Sequence, residues 1–148
     1  MRQITILEDI FDPWLIQKEY QETSMSGRAD FGATANFIGT MRDFNEGDDV
    51  VSMELEHYPK MTEKQLNSII DTVEEKWSIH NTLIVHRIGK IKPAEPIMLV
   101  AVWSAHRGAA FDACRYIMED LKHKAPFWKQ EKLTSGSNRW VEKNTEGY

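Results

Sequence analysis

Apolar and polar residues alternate through RQITILED (2–9), the period-two pattern of a half-buried strand. Asp12 followed by Pro13 marks a helix start: the carboxylate can accept from first-turn amides, and proline leaves no amide unpaired. A short helix is predicted through WLIQKEYQE, then a loop at SMSGRAD. FGATANFIGTMR and VVSMELEHY are strand-like runs joined by DFNEGDD, with hairpin-turn chemistry at Asn45 to Asp48. Arg42 is thereby predicted at a strand end, where it meets the turn. Thr62 and Gln65 form a capping-box pattern, after which Leu66, Ile69, Ile70, Val73 and Trp77 recur at helical spacing. TLIVHRIGKI and PIMLVAVWSAH read as two strands separated by a turn around Lys92 to Pro96. A second amphipathic helix is predicted from about Gly108 to His123, with Ala110, Phe111, Cys114, Ile117, Met118 and Leu121 on its buried face. Ala125-Pro126 should end it, because the residue before proline resists the helical region. FWKQEKL and NRWVE form a closing pair of short strands around TSGS. Strands do not alternate strictly with helices, so the expected class is α+β, with a mixed, largely antiparallel sheet and two main helices, rather than a doubly wound fold.

A chain of 148 residues fits one domain spanning residues 1–148 with one hydrophobic core. Its 41% hydrophobic and 28% charged residues exclude disordered and fibrous classes. The longest apolar run, PIMLVAVW, is far short of the ~20 residues that cross a bilayer. The N-terminal stretch lacks the pattern of a secretion signal, and a lone cysteine forms no internal disulfide, so a cytoplasmic setting is expected. A formal net charge of -5 argues against indiscriminate nucleic-acid binding, although a local basic patch remains compatible with an anionic ligand.

Neither a Walker loop nor a dinucleotide-binding glycine pattern is present. The five histidines (57, 80, 86, 106 and 123) are scattered, so no metal and no resident cofactor is expected. Cys114, on the apolar face of a helix, reads as packing. An enzyme built on this chain is therefore not expected to supply its own sulfur, hydroxyl or metal. Cations at element ends remain. SAHRG puts His106 and Arg107 where a strand gives way to a helix, whose first amides favour an anion; local bonding of His106 and solvation of Arg107 is an equally good reading. DLKHKAPFWKQE gathers Lys122, Lys124 and Lys129 around a proline and two aromatic rings. Taken singly, Lys122 would pair with Glu119 on a solvated face. Flanking the turn, Lys122 and Lys129 can instead converge on one pocket. A lysine acts as a base only if its pKa falls by a few units from ~10.4, and apolar walls and neighbouring cations push that way. A protonated lysine can equally donate a proton or stabilise negative charge. Spacing leaves these roles open. A rival use of Lys122, Lys124, Lys129, Trp128 and Trp140 is single-stranded nucleic-acid binding by phosphate contact and stacking.

LEHYPKMTEKQL, VHRIGKI, SAHRGAAF, LKHKAPFWKQE and RWVE occur here in the order and spacing of the large, catalytic subunit of molybdopterin synthase. The chain resembles that family from about Phe31 to Glu142. The resemblance implies an α/β hammerhead fold and a heterotetramer: a homodimer of large subunits, each binding one small ubiquitin-like subunit. It implies a Gly-Gly thiocarboxylate on that small partner as the sulfur source, and cyclic pyranopterin monophosphate (precursor Z) as the substrate that receives the dithiolene of molybdopterin. Carried over by position, Lys122 would be the central catalytic lysine and Lys129 the second. Arg42, with Thr40 and Met41 of the GTMR segment, and His106 with Arg107 would belong to the anion pocket. Gln130 and Glu131 would line the substrate edge. Thr40 stands where relatives often carry a basic residue, and the tail KNTEGY lacks an arginine that some members place just beyond the Trp-Val-Glu segment.

Overall fold

The computed structural model describes residues 1–124 and 127–141. Among these, the chain begins with β1 (Arg2–Leu7), α1 (Pro13–Ser24), β2 (Ala33–Thr40), β3 (Phe44–Asn45), β4 (Asp48–His57) and α2 (Pro59–Lys76). It continues through β5 (Asn81–Arg87), β6 (Gly89–Ile91), β7 (Pro96–Ser104), α3 (Arg107–Lys124), β8 (Phe127–Leu133) and β9 (Asn138–Trp140). The expected break at Ala125-Pro126, the end of the RWVE segment at Glu142 and the tail KNTEGY lie outside the described residues.

The α+β class is as expected, and its strands divide between two sheets. The first has the order β1-β5-β7-β2, with β1 parallel to β5 and the other neighbours antiparallel. The second has the order β3-β4-β8-β9, with β6 added to β4. The first sheet is covered on both faces, which is why β5 and β7 read as nearly continuous apolar runs. One face, with Ile84, Met98, Val100 and Val102, packs against Leu66, Ile70 and Val73 of α2 and Ala113, Ile117 and Leu121 of α3. The opposite face, with Leu83, Val85, Leu99, Ala101 and Trp103, packs against Phe11, Tyr20 and Met25 in and around α1. Met41, Val50, Met53, Leu55 and Ile91 form a smaller core under the second sheet.

Local signals explain most boundaries. The Asp12 carboxylate accepts from the amides of Trp14 and Leu15 at 3.0 and 3.2 Å, and Pro13 opens α1. Glu46 and Gly47 both have positive φ, 51° and 81°, so the β3–β4 hairpin has the backbone twist that suits a tight reversal. Three expectations are corrected. FGATANFIGTMR and VVSMELEHY do not pair with each other: β2 lies in the first sheet and β4 in the second, and the turn joins β4 to the short β3. The Thr62–Gln65 capping box is absent, because α2 begins one turn earlier at Pro59; Thr62 is fully buried and its hydroxyl lies 3.2 Å from His57 Nδ1. Phe111 is 66% exposed, and the buried stripe of α3 runs instead through Ala110, Ala113, Cys114, Ile117, Met118 and Leu121.

Candidate active site

The last turn of α3 and the start of β8 carry Lys122 and Lys129, separated in sequence by the stretch that contains Ala125-Pro126. β8 is antiparallel to β4, with Lys129 opposite Leu55 and Phe127 opposite His57. Side chains of a strand alternate, so Phe127, Lys129 and Glu131 share one face and Gln130 takes the other. That face closes one end of a cleft of about 740 Å³ between α3, β2 and β8. Thr40, Met41, Arg42, Lys122, Lys129 and Glu131 all line it. Gln130 is not among the residues that line it.

Within the cleft the Lys122 and Lys129 side chains hydrogen-bond to each other. Two ammonium groups cannot do this, since each has only donors; one amine must offer a lone pair. Burial, the neighbouring Lys122 and the charge of Arg42 bring Lys129 down to about 7, against the pull of Glu131 in the other direction. Lys122 is also lowered, chiefly by burial. The pair therefore holds one easily exchanged proton near neutral pH. Arg42 lies between β2 and β3 with its guanidinium 4.9 Å from the centre of the Phe44 ring, adding positive charge to the same end of the cleft.

Behind the lysines lies a stack of rings. His86 of β5 lies 3.9 Å from Phe127 with ring planes 9° apart, and His57 lies 5.9 Å from the same ring at 15°. His86 Nδ1 is 2.8 Å from the Arg87 carbonyl. A carbonyl only accepts, so the imidazole proton sits on Nδ1. Burial first, then the charges of Lys122 and Lys129, push His86 down to about 3, leaving it neutral. The Glu131 carboxylate is nearly buried and accepts from Asn45 Nδ2 at 3.1 Å and from Arg139 Nε at 3.0 Å. Arg139 also donates to Asp48 at 2.7 Å and to the Asn45 carbonyl at 2.7 Å.

His106 and Arg107 stand apart. They are exposed at the opposite end of α3, and at 1.5 Å rise per residue Arg107 is about 22 Å along the helix from Lys122. Neither lines the cleft of its own chain. Lys124 pairs with Asp120 at 2.9 Å, and Trp128 packs edge-on against Tyr58, 4.7 Å between centres. Lys124 is thus engaged within its own helix, and Trp128 and Trp140 lie on the strand face opposite to Lys129. Cys114 lines the cleft, but burial raises its thiol to about 11, far from a reactive thiolate. Sequence reasoning missed His86 and Arg139. Nothing in the chain flags His86 before β5 and β8 are brought together. Arg139 had a signal: across the predicted FWKQEKL–NRWVE hairpin it falls opposite Glu131, an opposite-charge cross-strand pair.

A family model described as MoaE protein matches residues 11–124. The molybdopterin synthase catalytic subunit of Ralstonia nicotianae is 53% identical over 117 residues, 79% of this chain and 66% of that protein. The one from Vibrio cholerae is 46% identical over 127 residues, 86% of this chain and 83% of its own length. The solved structure of a molybdopterin biosynthesis MoaE protein from Burkholderia ambifaria superposes with a TM-score of 0.79 at 40% identity, covering 99% of this chain and 94% of that one. The chain belongs to the MoaE family, the catalytic subunits of molybdopterin synthase, sulfurtransferases that build the dithiolene of molybdopterin on precursor Z.

Proposed function

We propose that the cleft between α3, β2 and β8 is where this sulfur transfer takes place, with Lys122 and Lys129 as its catalytic pair. The observation that carries the reading is the contact between the two amines inside a cavity, with Lys129 held near neutrality. An amine that is neutral part of the time can take a proton from a reacting group, and its protonated neighbour can give one or hold developing negative charge. When a thiocarboxylate sulfur displaces an oxygen from carbon, the leaving oxygen takes a proton from the charged lysine. The acyl–sulfur bond of the resulting thioester is then cleaved by a water whose proton the neutral lysine accepts, leaving the sulfur on the substrate and a carboxylate on the donor. Arg42, at the same end of the cleft, supplies fixed positive charge for the cyclic phosphate of precursor Z, with Thr40 and Met41 shaping that wall.

The sulfur comes from outside the chain. Cys114 stays protonated in its packed position, and the resemblance to the family implies as donor a small ubiquitin-like partner whose C-terminal Gly-Gly carries a thiocarboxylate. The relatives bear the name catalytic subunit, and a catalytic subunit works beside another chain. Within the assembly two copies of this chain form a central dimer. His106 and Arg107 then serve the anion pocket across that dimer, from the second copy, since in their own chain they lie at the wrong end of α3.

The test is dithiolene formation from precursor Z with a thiocarboxylated partner. Losing one member of a proton-handling pair typically costs 10²–10⁴-fold in rate, so Lys122→Ala is expected to lose at least ~100-fold. Near-normal turnover by a folded Lys122→Ala chain removes the lysine pair from the mechanism.

A further inference from the structure

Arg139 is the hub of the charged network next to the two lysines. Its Nε lies 3.0 Å from Glu131 Oε1, one Nη lies 2.7 Å from Asp48, and the other donates to the Asn45 carbonyl at 2.7 Å. It thereby ties β9 to β8 and to the β3–β4 hairpin. The Glu131 carboxylate so held is 6% exposed and lines the cleft two residues from Lys129 on the same strand face, roughly 7 Å along the strand. A buried carboxylate at that distance raises the proton affinity of the lysine, the more so the closer it is allowed to swing.

We propose that Arg139 is a positioning residue: by clamping the Glu131 carboxylate together with Asn45, it limits the pull of that carboxylate on Lys129 and so favours the proton being shared between Lys129 and Lys122. The proposal rests on the reading of Lys122 and Lys129 as the catalytic pair and adds to it the device that keeps one of them near neutral. Other charges also bear on Lys129: Lys122 from α3 and Arg42 from the β2–β3 segment, both lowering its proton affinity, against Glu131 from its own strand. Arg139 is the group that decides how much of the Glu131 charge is felt. The ring stack from β5 and β4, with His86 neutral, adds no opposing charge.

The measurement is the titration midpoint of the Lys129 amine in the folded, full-length chain, followed by NMR of lysine labelled with carbon-13 at Cε and assigned with a Lys129→Arg control. An opposite charge brought within ion-pair reach shifts a pKa by about one to three units. Arg139→Ala is therefore expected to raise the Lys129 midpoint by about one unit, while Arg139→Lys, which keeps a cation on Glu131, moves it much less. Glu131→Gln should move it the other way. In the Arg139→Ala/Glu131→Gln double variant most of the Arg139 effect should vanish, because the carboxylate through which it acts is gone. If Arg139→Ala does not fold, Arg139→Gln is read in its place with the same expected sign. An unmoved midpoint in the folded arginine variant, or an equal shift with and without Glu131, overturns the proposal. A midpoint that moves while the pH profile of dithiolene formation stays still leaves the Arg139 clamp standing and removes Lys129 from proton transfer.

Discussion

His86 shows how one buried ring shapes a site from behind the cleft it does not line. It is neutral because burial and two lysines oppose its protonation, and its Nδ1–H is committed to the Arg87 carbonyl. The folded chain binds that proton only near pH 3, whereas an ordinary histidine binds it at 6.5. Between those values the unfolded chain holds more protons, so stability rises with pH across the window and falls on acidification through it. Urea unfolding at pH 7 and at pH 4.5 is expected to show a clear loss at the lower value. His86→Phe, which keeps the stack on Phe127 but cannot protonate, should show a smaller loss; an identical pH dependence in both chains would exclude His86 as the source. Single positions differ sharply in what the chain alone says of them. Asp12 was legible because its partners are the next two or three amides. Lys122 and Lys129 were legible as candidates because both are charged and flank one break. Their mutual contact, and the Arg139 clamp on Glu131, depend on strand register and were not.

Helices and strands here are set by faces rather than by caps. In α2 the stripe Leu66, Ile69, Ile70 and Val73 is buried against the first sheet as its spacing predicted. Leu66→Ala is expected to cost about 2–5 kcal/mol, because it opens a cavity between α2 and the sheet. Phe111→Ala should stay within about 0.5 kcal/mol, since that ring is exposed at the cleft rather than packed in the core. Chemical denaturation of the two variants checks both, and equal costs would mean that the helix faces are assigned wrongly. The pattern alone misplaced Phe111 because a large ring at the border of a stripe reads as part of it. It misplaced the start of α2 because Thr62 is three residues before Gln65, while the stronger local signal was Pro59 at the first helical position.

At the scale of the whole molecule, the cleft exists because two sheets meet. β2 and α3 belong to the first layer, β8 and the β3–β4 hairpin to the second, and the lysines sit where α3 hands over to β8. The proposed dimer has a direct consequence. Mixed chains carrying Lys122→Ala and Arg107→Ala, each inactive alone, should regain activity once subunits exchange, because one site of each hybrid receives an intact lysine from one copy and an intact arginine from the other. With random pairing, half of the dimers are hybrids with one good site each, so about a quarter of full turnover is expected. No recovery despite demonstrated exchange would mean that Arg107 does not serve the site of the second copy.

The amino-acid sequence by itself determined the elements and the shortlist of chemistry: period-two strands, two amphipathic helices, a helix start at Asp12-Pro13, and cations collected at element ends. Those are local properties, written within a few residues of where they act. Tertiary structure alone decided that the strands form two sheets, that Gln130 faces away while Glu131 faces in, and that His106 and Arg107 lie a helix length from the lysines. It alone decided that Lys129 sits close enough to Lys122, and dry enough, to titrate near neutrality. A proton affinity depends on distance and on exclusion of water, and both are set by which distant segments the fold brings together.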